Sequence, residues 1–179
     1  MDYGQRILRA LALLVLATLS ACSTLQTAPA PALEKKARWV LLPAVNNTET
    51  PQAAARLEAI TASLLRAQGV QDLLLYPPVA AEEVLSPADR RAQEAALVWA
   101  RSQNARYAVS GSVQEWRYKT GLDGEPAAGV TLSIIDVASG QVVWTGSGAR
   151  TGWSREAVAG VAQKLIAELV DEALAQARD

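Results

Sequence analysis

The chain has no histidine, no phenylalanine and one cysteine in 179 residues. Without histidine it loses the usual general base, the usual activator of a nucleophile and the commonest metal ligand at once, so Ser-His-Asp triads are excluded. A single cysteine rules out an internal disulfide and leaves no thiolate set for zinc. A Ser-Lys dyad spaced S-x-x-K is missing too, because Ala32, Leu33, Trp116 and Val161 stand three residues before Lys35, Lys36, Lys119 and Lys164. Gly146-Ser147-Gly148 is followed by Gly152 and not by a glycine at 151, so it fits neither a dinucleotide loop nor a Walker loop ending in Gly-Lys. It reads as a twisted strand end. Paired carboxylates, as in glycosidases, are the one catalytic arrangement that composition leaves open.

Charge of one sign is also missing. The 17 basic and 18 acidic residues nearly cancel, whereas a nucleic-acid binder shows a clustered basic footprint. No nucleic-acid partner is expected, and any electrostatic function must come from local clustering. Together these gaps predict a chain that is not an enzyme and carries neither cofactor nor metal.

What is present begins with a leader. Arg6 and Arg9 precede an apolar run from Ala10 to Ala17, which Thr18 and Leu19 extend to Ser20, Ala21 and Cys22. That is the build of a secretory signal peptide over 1–21. The uncharged stretch falls short of the ~20 residues that span a bilayer core, so no permanent transmembrane helix is expected. Leu19-Ser20-Ala21-Cys22 resembles the lipobox of bacterial lipoproteins, in which the thiol is acylated and the chain is cut before it. Cys22 is then the lipidated first residue of the mature chain; the alternative is an ordinary cleaved signal peptide with a stray cysteine. Several acyl chains hold a protein on a lipid bilayer where one is marginal, at about 0.8 kcal/mol per buried methylene. Residue 23 is serine. An aspartate there resembles an inner-membrane retention signal, so serine points to the periplasmic face of the outer membrane. Cleavage removes Arg6, Arg9 and Asp2, leaving 15 basic and 17 acidic residues and a net charge of −2.

Residues 22–37 are rich in Thr, Ala, Pro and Gln, with no apolar period and a charged cluster, Glu34-Lys35-Lys36. They read as a lipidated tether, at most ~50 Å long when fully extended. Residues 38–179 read as one domain. Arg38-Trp39-Val40-Leu41-Leu42-Pro43 suits a strand buried on both faces and ended by proline. Thr50 and Pro51 suit the cap and first position of a helix with Leu57, Ile60, Leu64 and Leu65 on one face, closed by Gly69. Val70 and Leu73 to Tyr76 give a second, parallel strand. Ser86-Pro87 starts a helix running to about Gln103 with Ala92, Ala96, Trp99 and Ala100 inward, and Asn104 stops it. In 106–119, Tyr107, Val109 and Val113 share one face while Trp116 and Tyr118 fall on the other. That change of phase predicts a bulge, or a strand projecting past its sheet with aromatics exposed. A loop over 121–126 and a hairpin over 130–145 turned at Ala138-Ser139-Gly140 follow. Ser154 is the natural cap of a last helix that buries Val158, Val161, Ala162, Leu165, Ile166, Leu169, Val170, Ala173 and Leu174. The predicted class is α/β, a mixed β-sheet packed with about three helices in the order β-α-β-α-β-β-β-α.

Three stretches carry a family resemblance: Trp39-Val40-Leu41-Leu42-Pro43 with Asn46-Asn47, 111–126 (GSVQEWRYKTGLDGEP) and 142–154 (VVWTGSGARTGWS). Together they resemble the PelC family, outer-membrane lipoproteins of Pel exopolysaccharide export, and the first is shared with periplasmic domains of the TolB N-terminal and CsgG type. The resemblance implies a homo-oligomeric ring, dodecameric in that family, beneath the outer membrane around the entrance of a PelB-type channel. It also implies an acidic surface that guides a cationic, partly deacetylated exopolysaccharide, and no enzymatic step. On this resemblance Asp123 and Glu125 are assigned to an acidic rim facing the periplasm and the arriving polymer. Trp153 is assigned to membrane contact, since Arg150 and Arg155 flank it and an indole between two cations suits a headgroup region. The alternative for Trp153 is a hydrophobic staple on Val158. A rival reading of the whole chain is a lipoprotein activator of a peptidoglycan synthase, which would have to cross the periplasm on a tether of little reach. A third is a carboxylate-only polysaccharide hydrolase.

Overall fold

The computed structural model describes residues 23–77, 90–119 and 124–179, and only the backbone of 90–92. Along them run β1 (Ser23–Thr27), β2 (Trp39–Leu41), β3 (Val45–Asn46), α1 (Ala53–Ala67), β4 (Leu73–Leu75), α2 (Arg90–Ser102), β5 (Tyr107–Tyr118), β6 (Pro126–Asp136), β7 (Val142–Thr151) and α3 (Val158–Leu174). The described strands form one seven-stranded sheet in the order β1-β7-β6-β5-β2-β4, with β3 also pairing β5. β2 is parallel to β4 and to β5, whereas β5, β6, β7 and β1 pair antiparallel in turn. The α/β class, the mixed sheet and the three helices are as expected. β1 and β3 are additional.

β2 is buried on both sides because its apolar run serves two layers. Trp39 and Leu41 face the core that α1 and α3 cover, while Val40 and Leu42 face a smaller cluster with Ala96 and Ala100 of α2. α3 buries all nine of the residues expected of it. α1 ends as Gly69 predicts: φ there is 98°, and the amides of Gly69 and Val70 return to the carbonyls of Arg66 and Leu65 at 3.1 and 3.0 Å. That is a Schellman ending, which a side chain at 69 would strain. Asn104, at φ 54°, stops α2 in the same left-handed region. The Ser86-Pro87 start of that helix lies outside the described residues.

Three expectations need correction. Thr50 does not cap α1: its hydroxyl donates to the Trp116 carbonyl, and the helix begins after Gln52, whose φ is 60°. The hydroxyl is used to brace the 47–50 loop against β5, together with Asn46, whose side-chain amide donates to the Thr50 carbonyl at 2.8 Å. Ser154 does not cap α3, which starts behind Ala157 with no side-chain cap; 154–156 form a turn instead. In β5, by contrast, the phase change is the bulge expected of it, the register shifting between Val113 and Glu115. The extra residue returns Trp116 to the core at 2% exposure, so of the two aromatics only Tyr118, at 53%, is exposed.

The largest correction concerns the expected 22–37 tether, of which the described part, 23–37, is no free tether. β1 pairs with β7 from Ser23 opposite Arg150 to Thr27 opposite Gly146. The Ala28 amide donates to the Thr145 carbonyl at 2.8 Å, and the Trp144 indole donates to the Ala28 carbonyl at 3.1 Å. Further on, Leu33 is buried, and the Leu33 carbonyl and Lys35 amide pair with the backbone of Arg178 at 2.7 and 2.8 Å. An edge strand needs backbone partners rather than an apolar period, which is why a polar STLQT segment joins the sheet. Gly148 gives Leu25 a seat beside Leu165, since a Cβ there would stand 3.0 Å from Leu25 Cδ1 and 2.7 Å from Leu165 Cδ1.

Candidate functional site

The antiparallel half of the sheet converges at one end. Tyr118 closes β5 opposite Pro126, and the Lys119 amide donates to the Glu125 carbonyl at 2.7 Å. Thr151 closes β7 opposite Ala127, and the Gly152 amide donates to the Pro126 carbonyl at 2.9 Å. β1 begins at this same end, with Ser23 opposite Arg150. Cys22 lies outside the described residues, but its peptide bond sets its Cα about 3.8 Å from that of Ser23. The sheet register therefore brings Ser23, the start of β6 and the Trp153 loop to one end.

Two large side chains project here, Tyr118 at 53% exposure and Trp153 at 61%. The other tryptophans are accounted for within the fold. Trp39, Trp116 and Trp144 are buried, and Trp99 is half-buried edge-on against Tyr76 at 5.3 Å. At 61% exposure most of the Trp153 ring faces outward, and the chain leaves β7 through a turn before α3 begins. Its flanking cations differ. Arg150 lies 2.6 Å from the Glu168 carboxylate and is largely covered, whereas Arg155 is exposed.

Glu125 is exposed and Asp123 lies outside the described residues. The expected separation, an acidic rim facing the periplasm and an indole facing the membrane, is not what the topology gives for Glu125. β5 and β7 run in the same direction, so the loop after each leaves the sheet at one end, and Glu125 shares that end with Trp153. Arg117 is paired with Glu115 at 3.1 Å, and Lys119 is exposed nearby. Glu156, to which sequence assigned nothing, stands in the turn after Trp153. Its spacing of three residues from Trp153 is that of a reciprocal cap, a signal hidden by Ser154, the more obvious cap between them.

Away from this end, the face of β5, β6, β7 and β1 opposite α1 and α3 is polar. Gln114 Nε2 donates to Ser112 Oγ at 2.7 Å and Thr131 Oγ1 to Ser147 Oγ at 2.9 Å. An open cleft of about 900 Å³ lies over this face, lined in part by Gln26, Glu49, Gln114, Glu115 and Ser147. Among the described residues no group of three or more His, Cys, Asp or Glu is placed to hold a metal ion.

Among solved structures, the chain is similar to the PelC dodecamer of Paraburkholderia phytofirmans, at 44% identity over 88% of this chain and 100% of that one, with a TM-score of 0.73. A single-substitution variant of that dodecamer in another crystal form matches at 43% identity over the same shares, with a TM-score of 0.75. The chain belongs to the PelC family. A lipoprotein of Neisseria meningitidis, GNA1162, shares the PelC-like fold alone: 17% identity over 76% of this chain and 96% of that one, with a TM-score of 0.54. No family model and no curated protein matches the chain.

Proposed function

We propose that this PelC-family chain is a non-enzymatic lipoprotein of the outer membrane, held on the periplasmic face by acyl chains on Cys22 and by Trp153. Copies of it close into a ring that guides a cationic exopolysaccharide, Pel, into a PelB-type export channel as a biofilm matrix is secreted. The observation that carries the attachment is the β1–β7 register. Ser23, the residue after Cys22, sits opposite Arg150, at the end of the sheet where the exposed indole follows β7. The dodecamer formed by a relative 44% identical supports the ring, which needs head-to-tail contacts that close on themselves.

With the Trp153 end against the membrane, Glu125 stands on the membrane-proximal rim and Asp123 precedes it by two residues, close to where a channel mouth would be met. One such charge is screened beyond about 8 Å at physiological salt. Repeated around a ring, these charges line a single path, where their fields add. Replacing both, Asp123→Asn with Glu125→Gln, is expected to cut polymer export several-fold while the ring still assembles; secreted polymer and complex mass are measured on the same strain. Undiminished export from an assembled ring would remove the guiding role.

A further inference from the structure

Trp153 is fastened by its backbone while its side chain is free. Its amide donates to Glu156 Oε2 at 2.9 Å, and its carbonyl accepts the Glu156 amide at 2.8 Å. The other carboxylate oxygen, Oε1, accepts from Lys164 Nζ of α3 at 2.6 Å. Both backbone polar groups of Trp153 are thus bound to one residue, and that residue is tied to the helix behind it. Gly152 leaves the room this needs: a Cβ there would stand 2.4 Å from Glu156 Oε2 and 2.5 Å from Val161 Cγ2. From the strand side, Tyr118 Oη donates to the Glu156 carbonyl at 3.3 Å.

In an ordinary exposed turn the same fastening serves the backbone alone. An indole that enters a lipid interface gains from it. Ordering a loop on contact costs conformational entropy, and a loop ordered beforehand avoids that cost. We propose that Glu156 is a positioning residue, which clamps the Trp153 backbone so that the indole meets a phospholipid bilayer in one orientation, with Gly152 and Lys164 as parts of the clamp. This rests on the membrane reading above. The clamp is closed at neutral pH. Its hydrogen bond from Lys164 and then that from the Trp153 amide hold the Glu156 carboxyl below its ordinary pKa. A lowered pKa means that the contribution is present at neutral pH and lost only as pH falls through the folded-state value.

The test uses the full lipidated protein in vesicles whose phospholipids carry bromine on their acyl chains, which quench nearby tryptophans. The share due to Trp153 is the quenching lost in Trp153→Phe. In Glu156→Ala that share is expected to fall by roughly half or more, because the acceptor for the Trp153 amide is gone. In Glu156→Gln, which keeps an acceptor, most of the share returns. A merely structural role would move the melting temperature and leave the share unchanged. Where Glu156→Ala melts early, Lys164→Gln gives the same reading from the exposed side of the clamp: a partial loss supports the proposal and no loss overturns it. An undiminished share in Glu156→Ala, or a Gln variant no better than Ala, also overturns it while leaving the membrane reading standing. If Trp153→Phe removes no quenching, the membrane reading fails and the clamp falls with it.

Discussion

Cys22→Ser, expressed behind a signal peptide of the ordinary cleaved class, is expected to shift the protein from the membrane fraction to the soluble periplasm. Each buried methylene of an acyl chain contributes about 0.8 kcal/mol, so several chains outweigh anything one indole supplies, and the bound fraction should fall more than roughly tenfold. The docked N-terminus sharpens this expectation. Because Ser23 is already paired with β7, acyl chains on Cys22 would be one residue from the end of the sheet. The measurement is membrane fractionation in cells without the channel partner. Retention of Cys22→Ser in the outer-membrane fraction there would show that something other than acylation holds the protein.

Trp144→Ala should produce the largest loss of stability. The indole is 1% exposed and fills the space that Gly146 leaves, where a Cβ would stand only 2.5 Å from Trp144 Cη2 and 2.9 Å from Leu169 Cδ2. Emptying such a site costs about 3–5 kcal/mol. For a domain of this size that is a fall in melting temperature of roughly 6–20 °C. The same substitution removes the donor to the Ala28 carbonyl, so β1 should loosen and its amides exchange faster. Trp144→Phe keeps part of the volume and loses that hydrogen bond, worth about 1 kcal/mol, so it should cost less than Trp144→Ala. Thermal melts with hydrogen exchange of the β1 amides test both parts. A melting temperature within about 2 °C of the parent in Trp144→Ala would contradict the role of this indole in the core.

The parts of the fold legible in the sequence are those set by local periodicity. α3 shows its nine buried positions at helical spacing, β2 shows an unbroken apolar run, and Gly69 and Asn104 mark helix ends by the backbone they permit. What could not be read depends on partners distant in sequence. Nothing in STLQT says that β7 offers it a free edge, and Thr50 looks like a cap until Trp116 presents a carbonyl 66 residues away. The bulge was signalled by the phase change in β5, but its outcome, a buried Trp116, required knowing where β6 lies. The candidate site divides in the same way. The Leu19–Cys22 motif is local, and Trp153 stands out because Trp39, Trp99 and Trp144 have inward explanations. That Glu125 shares an end with Trp153 follows from strand direction, and that Glu156 holds Trp153 follows from a turn that the Ser154 cap pattern obscures.

The docked N-terminus also bears on the rival reading as an activator of a peptidoglycan synthase. If the chain is anchored at Cys22, a domain joined to that anchor through the five paired residues of β1 would have even less reach across the periplasm than a fifteen-residue tether. The proposed polymer-guiding ring would make no such demand, since the channel proposed as its partner would lie in the same membrane. The most direct measurement is the mass of the lipidated protein purified in mild detergent, by light scattering with the detergent contribution subtracted. The expected result is a closed complex of twelve copies, as in the relative from Paraburkholderia phytofirmans; a single copy, at concentrations well above those in the cell and with lipid present, would contradict the ring.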